Sequence, residues 1–226
     1  MIITRTPLRI SFVGGGTDLR EYYQHETGTV LSTGIDKYVY VIVKRQLGIV
    51  EHKYRINWSQ VEFKNDLNKI EHPIVREVLR MFNIDFPIEI TTIADIPAGT
   101  GLGSSSSFCV GLIHAITTLL GIQKTKYELA SLAAEIEVDI LGRSMGKQDH
   151  FAASYGNLNI INFLSNEKVE VEPVIYEKSK LLELENNLML FYTYLTRDAS
   201  KVLESQIKET KNKFDVLTQM KDLTLP

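Results

Sequence analysis

A run of glycine and serine residues in the middle of the chain constrains the fold more than any other feature. Residues 97–107 read PAGTGLGSSSS, and apolar residues at helical spacing follow at once. Glycine lets the backbone adopt positive φ and turn its N–H groups inward, while the first turn of a helix adds unpaired N–H donors and about half a positive charge. The pattern predicts an anion cradle at a helix start. A serine hydroxyl in that turn could reach a Mg²⁺ ion that bridges phosphates.

Three other interpretations of this segment are less consistent with its residues. A plain strand-to-helix turn with serine caps would explain a single Gly-Ser turn, but three alternating glycines followed by four serines favour the cradle. The segment is not a Walker A loop, because no lysine follows the last glycine. It is not a dinucleotide-binding fingerprint either, because the spacing is G-x-G-x-G and no acid lies about 20 residues further on after a strand.

Composition excludes several classes of function. The chain has 226 residues, 25 Lys and Arg against 28 Asp and Glu, a net charge of −3 and 44% hydrophobic residues, which is typical of one large or two small globular domains. The weak acidity and the lack of a basic stripe argue against nucleic-acid binding. No apolar run reaches the roughly 18 residues of a membrane span, no signal-peptide pattern opens the chain, and Cys109 has no partner cysteine. We therefore expect a cytoplasmic protein with no nucleic-acid or membrane partner.

The hydrophobic pattern predicts a strand-rich first half and a helix-rich second half. Strands are expected over residues 8–13, 38–45, 49–58, 87–92, 158–163, 168–175 and 188–194, and helices over residues 18–25, 73–82, 104–120, 125–141, 148–154 and 198–208. The strand 49–58 is expected to pair antiparallel with 38–45 across a short turn. No clear element is expected over 211–226, and the best internal boundary lies near 177–187.

An acidic helix and a polar loop follow the Gly-Ser segment. The helix predicted over 125–141 carries Glu135, Glu137 and Asp139, and alternate spacing puts neighbouring acids about 200° apart, so they do not share a face. From spacing alone, a solvated acidic face is favoured, with one acid able to point inward. Downstream comes the polar stretch GRSMGKQDH, where Asp149 could cap the next helix or act on a substrate hydroxyl. Spacing does not decide between these roles.

Three segments together resemble the GHMP kinase superfamily, the small-molecule kinases that include galactokinase, homoserine kinase and mevalonate kinase. The Gly-Ser segment resembles the phosphate-binding motif of that family, PLRISFVGGGTDL (7–19) resembles its N-terminal motif, and GKQD (146–149) resembles the loop of its catalytic aspartate. Within the superfamily, PLRISFVGGGTDL and GKQDHFAASYGNLNIINF are most similar to bacterial D-glycero-D-manno-heptose 7-phosphate kinases. The resemblance covers nearly the whole chain.

The resemblance implies a role for each matching position. It implies that Asp149 is the catalytic aspartate with Arg9 beside it, and that Glu137, rather than the other two acids, ligates Mg²⁺ together with Ser105. It implies that the ATP phosphates are wrapped by Pro97, Gly99, Thr100, Gly101, Leu102, Gly103, Ser104 and Ser105. It places Asp18 on the sugar hydroxyls, with Gly16, Thr17 and Gln148 also at the substrate. From the residues alone, Asp18 could equally cap a helix and Arg9 could be a surface strand residue.

The resemblance also implies a fold and its domains. The expected fold class is α+β, with residues 1–185 forming the ribosomal-protein-S5-like two-layer N-terminal domain of GHMP kinases, which binds ATP and carries the catalytic residues. Residues 186–226 are expected to begin a truncated C-terminal domain, because the third glycine-rich motif of the family is not found in this sequence. The isolated chain is accordingly expected to be weakly active or inactive. Its apolar stub near Leu190 and Phe191 is expected to favour homo-oligomers.

The function implied is that of an ATP- and Mg²⁺-dependent sugar kinase. The expected substrate is D-glycero-D-manno-heptose 7-phosphate, converted to the 1,7-bisphosphate. A fucose- or galactose-type kinase is an alternative, although residues 14–18 read GGGTD where galactokinases have Gly-Glu-His-Thr-Asp, which argues against galactose. An alternative of another class is a non-catalytic fragment that binds sugar or nucleotide, and the presence of Asp149, Glu137 and Ser105 argues against it.

Overall fold

A mixed seven-stranded sheet carries the described part of the chain, and helices pack against it. The computed structural model describes residues 1–48, 50–194, 210 and 213–224. The strands are β1 (Ile2–Val13), β2 (Gly28–Arg45), β3 (Tyr54–Asn57), β4 (Val61–Lys64), β5 (Ile88–Ala94), β6 (Leu158–Phe163) and β7 (Val169–Pro173). The helices are α1 (Arg20–Tyr23), α2 (Pro73–Met81), α3 (Ser104–Leu119), α4 (Lys126–Ala134), α5 (Gln148–Tyr155), α6 (Lys178–Asn186) and α7 (Phe214–Asp222). A 3₁₀ turn covers Leu67–Lys69, and a π-helical segment, Glu135–Ile140, continues α4.

The long strand β2 organises the sheet. Strand β1 pairs antiparallel with one edge of β2, while β6 and β5 pair antiparallel with the first and second halves of its other edge. Beyond β5 lie β3, in parallel pairing, and then β4, and beyond β6 lies β7. This arrangement of a mixed sheet with packed helices confirms the predicted α+β class.

Helix α3 crosses β1 and β2 at close range. Gly111 makes this possible, because a Cβ there would lie 2.7 Å from the Thr6 hydroxyl oxygen. The Thr4 hydroxyl donates to the carbonyl of Gly111 at 2.9 Å. Val41 on β2 faces the same interior and is fully buried. These contacts fix the middle of α3 relative to β1, the strand that carries Arg9.

The predicted partner of the strand over 49–58 is wrong. Only Tyr54–Asn57 forms a strand, and it pairs antiparallel with β4 and parallel with β5. The physical reason is that both edges of β2 are already occupied, one by β1 and the other by β5 and β6. Hydrophobic alternation identifies a strand but carries no information about which edges remain free.

The predictions for the end of the chain are corrected in two places. The described residues 188–194 form no strand, because none of the described strands pairs with them. Residues 214–222, where no element was expected, form α7, whose Phe214 ring stacks on Tyr22 with centroids 4.6 Å apart and whose Leu217 is buried. The helix predicted over 198–208 lies outside the described residues.

The domain boundary stays a prediction. Helix α6 occupies the segment in which the boundary was expected, and none of its residues is buried. The side chains of Met189, Leu190 and Phe191, which follow α6, are largely exposed. This exposure agrees with the expected apolar stub. The homo-oligomer expected from that stub also stays a prediction. Within the described ranges, no helix is both long enough and apolar enough to cross a membrane.

Candidate active site

The Gly-Ser segment forms the predicted loop at the start of α3. Gly99, Gly101 and Gly103 have φ of 79°, 76° and 75°, a left-handed conformation that favours glycine. Gly103 is the N-cap residue of α3, so no side chain covers the first-turn N–H groups from that position. The Ser107 hydroxyl donates to the carbonyl of Pro7 at 2.8 Å and ties the helix start to β1. The result is a backbone suited to an anion.

The remaining loop residues close the turn. The Thr100 hydroxyl donates to the carbonyl of Pro97 at 3.2 Å across the loop, and Pro97 itself is exposed. Leu102 and Ser104 are partly buried at the junction with α3. These predicted nucleotide-binding residues therefore lie on one continuous loop and helix start.

Arg9 and Asp149 form a two-pronged ion pair beside this loop. Arg9 Nε donates to Asp149 Oδ1 at 2.7 Å, and Arg9 Nη2 donates to Asp149 Oδ2 at 2.8 Å. Arg9 Nη1 also donates to the carbonyl of Gly101 at 2.7 Å. Asp149 lies in the first turn of α5, but its side chain makes no helix cap. The pair therefore joins β1, the glycine loop and α5, and it holds the Asp149 carboxylate in one orientation.

Glu137 is the acid that points inward, as the resemblance implied. It is fully buried, whereas Glu135 and Asp139 are exposed. The π-helical segment that contains all three has wider turns than an α-helix, and such segments are frequent at functional sites. The Ser105 hydroxyl donates to Glu137 Oε1 at 2.6 Å. The two predicted metal ligands are therefore adjacent.

Two cationic or potentially cationic side chains surround Glu137. Arg143 Nη1 donates both to Glu137 Oε1 and, at 2.6 Å, to Ser105 Oγ. His150 Nε2 lies 3.0 Å from Glu137 Oε2. Burial raises the pKa of Glu137, but the contacts with His150, Ser105 and Arg143 outweigh it and hold the pKa at about 2. The carboxylate is therefore charged at neutral pH.

Asp18 is buried next to the loop that precedes α5. It is 2% exposed, and its oxygens accept hydrogen bonds from the Gly16 N–H at 3.1 Å, the Gln148 N–H at 3.1 Å and Gln148 Nε2 at 3.0 Å. Burial raises the pKa of Asp18 to about 6, and the charge of Asp149 adds to the rise, while the backbone N–H donors oppose it. Asp18 is neither the N-cap residue of α1 nor open to solvent.

The sugar contact predicted for Asp18 and Thr17 stays a prediction, and both side chains are buried in this structure. The Thr17 side chain is fully buried, and its hydroxyl donates to the carbonyls of Gly14 and Thr29 at 2.7 and 3.2 Å. Gly16 is buried as well. These residues build the turn, and of the predicted substrate-binding residues Gln148 is the one at the open surface.

An open cavity of about 340 Å³ lies between the glycine loop and this turn. It is lined by Arg9, Ile10, Ser11, Gly15, Gly101, Leu102 and Gln148. The Ser11 hydroxyl donates to Gln148 Oε1 at 2.8 Å, so Gln148 is fixed by Ser11 on one side and by Asp18 on the other. A molecule in this cavity would lie against both the Arg9–Asp149 pair and the Gln148 amide.

The sequence analysis missed three residues of this site. Arg143 and His150 contact Glu137, and Ser11 holds Gln148. His150 lies thirteen positions after Glu137 on a different helix, so no helical periodicity links them. A basic residue shortly after three acids was the one available signal for Arg143, and it is a weak one.

Comparisons with known proteins agree with this geometry. The family model described as GHMP kinases N terminal domain matches residues 68–157. The chain is 34% identical over 214 residues to D-glycero-alpha-D-manno-heptose 7-phosphate kinase of Campylobacter jejuni, an alignment that covers 90% of this chain and 62% of that protein. It is 29% identical over 190 residues to galactokinase of Thermotoga maritima, covering 82% of this chain and 51% of that protein.

A solved structure of a heptose phosphate kinase has a fold similar to that of this chain. The crystal structure of a D-glycero-D-manno-heptose 1-phosphate kinase from Bacteroides thetaiotaomicron has a TM-score of 0.78 at 27% identity, covering 98% of this chain and 74% of that chain.

The fold, the glycine loop and the carboxylates beside it agree with these comparisons. Residues 68–157 match the N-terminal domain of the GHMP kinases, which confirms the resemblance seen in the sequence. It spans 62% and 51% of the lengths of the two curated relatives.

Proposed function

We propose that this chain is the catalytic part of an ATP-dependent sugar kinase whose acceptor is a heptose monophosphate. The observation that carries the proposal is the Arg9–Asp149 pair, which lies where the glycine loop meets the cavity. The names of two relatives, a heptose 7-phosphate kinase and a heptose 1-phosphate kinase, support the acceptor class. D-glycero-D-manno-heptose 7-phosphate, phosphorylated at its anomeric hydroxyl, is the specific substrate we propose.

The chemistry needs alignment and charge stabilisation more than covalent help from the protein. Asp149 accepts the proton of the sugar hydroxyl while that oxygen forms a bond to the γ-phosphorus. The bond from the γ-phosphorus to the bridging oxygen then breaks, and ADP leaves. Arg9 aims the Asp149 carboxylate, and the backbone N–H groups of the loop and the start of α3 hold phosphate oxygens.

Ser105 and Glu137 fit a Mg²⁺ ion. They offer a hydroxyl and a charged carboxylate oxygen 2.6 Å apart, and oxygen is the ligand that Mg²⁺ prefers. No group of three or more His, Cys, Asp or Glu residues that could hold a metal exists in the described ranges. When bound, the ion would neutralise charge on the nucleotide phosphates. This assignment is part of the proposal.

An assay of ADP release tests the proposal. The chain is supplied with Mg-ATP and, in turn, heptose 7-phosphate, heptose, fucose, galactose and mannose, and the product is identified by ³¹P NMR. We expect weak turnover with heptose 7-phosphate and a new anomeric phosphate signal, since the chain spans 62% and 51% of the lengths of its two curated relatives. Turnover with galactose or fucose would overturn the acceptor assignment. Nucleotide binding without sugar-dependent ADP release would instead indicate a binding protein.

The sugar KM is expected to rise as the pH falls below about 6. Asp18 has a pKa of about 6, so it is ionised above that pH and accepts the N–H groups of Gln148. Below it, each pH unit lowers the ionised fraction about tenfold, and the neutral acid no longer holds Gln148 as a sugar ligand. Initial rates from pH 5 to 8 should show the sugar KM rising up to tenfold per unit, with the KM for ATP as the internal reference. A sugar KM that stays constant from pH 7 to 5 would contradict this role.

A further inference from the structure

One cation already occupies the place between the two predicted metal ligands. Arg143 Nη1 donates to Ser105 Oγ at 2.6 Å and also to Glu137 Oε1. The Ser105 hydroxyl in turn donates to the same carboxylate oxygen at 2.6 Å. A single guanidinium nitrogen therefore contacts both oxygens that would ligate Mg²⁺. A Mg²⁺ ion ligated by both oxygens would compete with Arg143, because neither oxygen can keep the Arg143 contact and bind the ion along the same direction.

The buried carboxylate of Glu137 needs a positively charged partner both with and without a bound metal ion. An unpaired buried carboxylate is strongly destabilising, so a fully buried Glu137 needs a cation before Mg²⁺ arrives. Arg143 supplies that charge. On the other side, His150 Nε2 contacts Oε2 and not Oε1. The carboxylate can therefore keep its orientation toward Ser105 while the partner of Oε1 is exchanged.

The geometry also lets Arg143 leave without unfolding the loop. Its backbone N–H donates to the carbonyl of Glu137 at 3.0 Å, which anchors the main chain independently of the side chain. The Arg143 side chain is 33% exposed, so it borders solvent into which it can rotate. Gly142, just before it, has φ of 61° and nothing within 4 Å of its Cβ position.

The geometry points to Arg143 as a built-in cation that holds the Mg²⁺ position closed in the metal-free protein and is displaced when the metal binds. This inference rests on the proposed assignment of Ser105 and Glu137 as metal ligands, and it deepens that assignment by naming the residue that sets metal affinity. Arg143 is a positioning residue here, since it acts through Glu137 and Ser105.

Metal binding by itself, without catalysis, provides the test. Mn²⁺ alone serves as the probe, and its free concentration is followed by electron paramagnetic resonance during titration of the chain. Arg143→Met and Arg143→Gln both remove the competing charge, and using two variants keeps the test valid if one of them fails to fold. We expect both to bind Mn²⁺ about tenfold more tightly than the parent chain. In the parent chain the metal must first displace Arg143 from Ser105 and Glu137, and in the variants this step is absent. Thermal unfolding checks that each variant is folded.

Two further variants make the result specific. Arg80→Met removes a guanidinium from another glutamate, Glu77, away from the glycine loop, and should leave Mn²⁺ affinity unchanged. Adding Glu137→Gln to Arg143→Met should abolish the gain. Unchanged or weaker Mn²⁺ binding by the single Arg143 variants overturns the inference, and so does a gain that persists without Glu137. If metal binding behaves as expected but no sugar is phosphorylated, only the proposed function fails.

Discussion

Replacing Asp149 by alanine is expected to lower the sugar-dependent kcat about a thousandfold while ATP affinity stays within a few-fold of the parent value. The carboxylate lies beside the cavity and is held by two hydrogen bonds from Arg9, whereas the glycine loop that would bind nucleotide is built from backbone. The loss should therefore fall on the chemical step. Single-turnover rates and titration with a non-hydrolysable ATP analogue measure the two quantities separately.

The role of Arg9 can be separated from that of Asp149 by a double-mutant cycle. If Arg9 acts by aiming Asp149, Arg9→Met should slow the parent chain clearly but add little to Asp149→Ala. Asp139→Ala serves as the matched acidic control, since this carboxylate is exposed and, among the described residues, pairs with the partly exposed Arg20. Residual turnover above about a tenth of the parent rate in Asp149→Ala would exclude a general-base role.

The parts of the fold that could be predicted from the sequence are those set by local chemistry. The helix over 104–120 follows from its apolar spacing and the glycines before it, and it occurs at Ser104–Leu119. The strand over 158–163 occurs unchanged. Strand partners could not be predicted in this way, because the place of β3 beside β5 depends on which edges of β2 the rest of the chain has taken.

In the candidate site, too, local features could be predicted from the sequence and long-range contacts could not. The positive φ of Gly99, Gly101 and Gly103 is a conformation that glycine adopts readily, and the alternating glycines of the sequence indicated it. Alternate spacing left open which acid turns inward, and the wide turns of a π-helical segment bury Glu137. The contact between Arg143 and Glu137 joins a loop side chain to that segment, and a side chain's direction in an irregular loop has no periodic signal. Family resemblance therefore supplied the residue identities, and the structure supplied their contacts.

Gly146→Ala is expected to have the second large effect, because its added carbon collides with Asp18. A Cβ at this position would lie 1.9 Å from Asp18 Oδ2 and 2.8 Å from the Asp18 backbone carbonyl oxygen. A backbone atom does not give way like the end of a flexible side chain, so the loop before α5 or the turn containing Asp18 must move. A shift of about 1 Å at a positioning contact can reduce catalysis about a hundredfold, and overpacking typically lowers the free energy of unfolding by about 2 kcal/mol.

The kinetic pattern expected for Gly146→Ala follows from which contact breaks. Asp18 fixes Gln148 through the Gln148 N–H and Nε2, so the displacement should raise the sugar KM and lower kcat/KM for sugar while leaving the KM for ATP near its parent value. Gly121→Ala is the control for sugar KM, since Gly121 follows the far end of α3 and nothing lies within 4 Å of its Cβ position. Steady-state kinetics and thermal unfolding of both variants provide the comparison. If Gly146→Ala matched Gly121→Ala in sugar KM, the close contact between Gly146 and Asp18 would not position the acceptor. If ATP and sugar were affected equally, the displaced loop would act on the whole site, and Gln148 would lose its specific role in binding sugar.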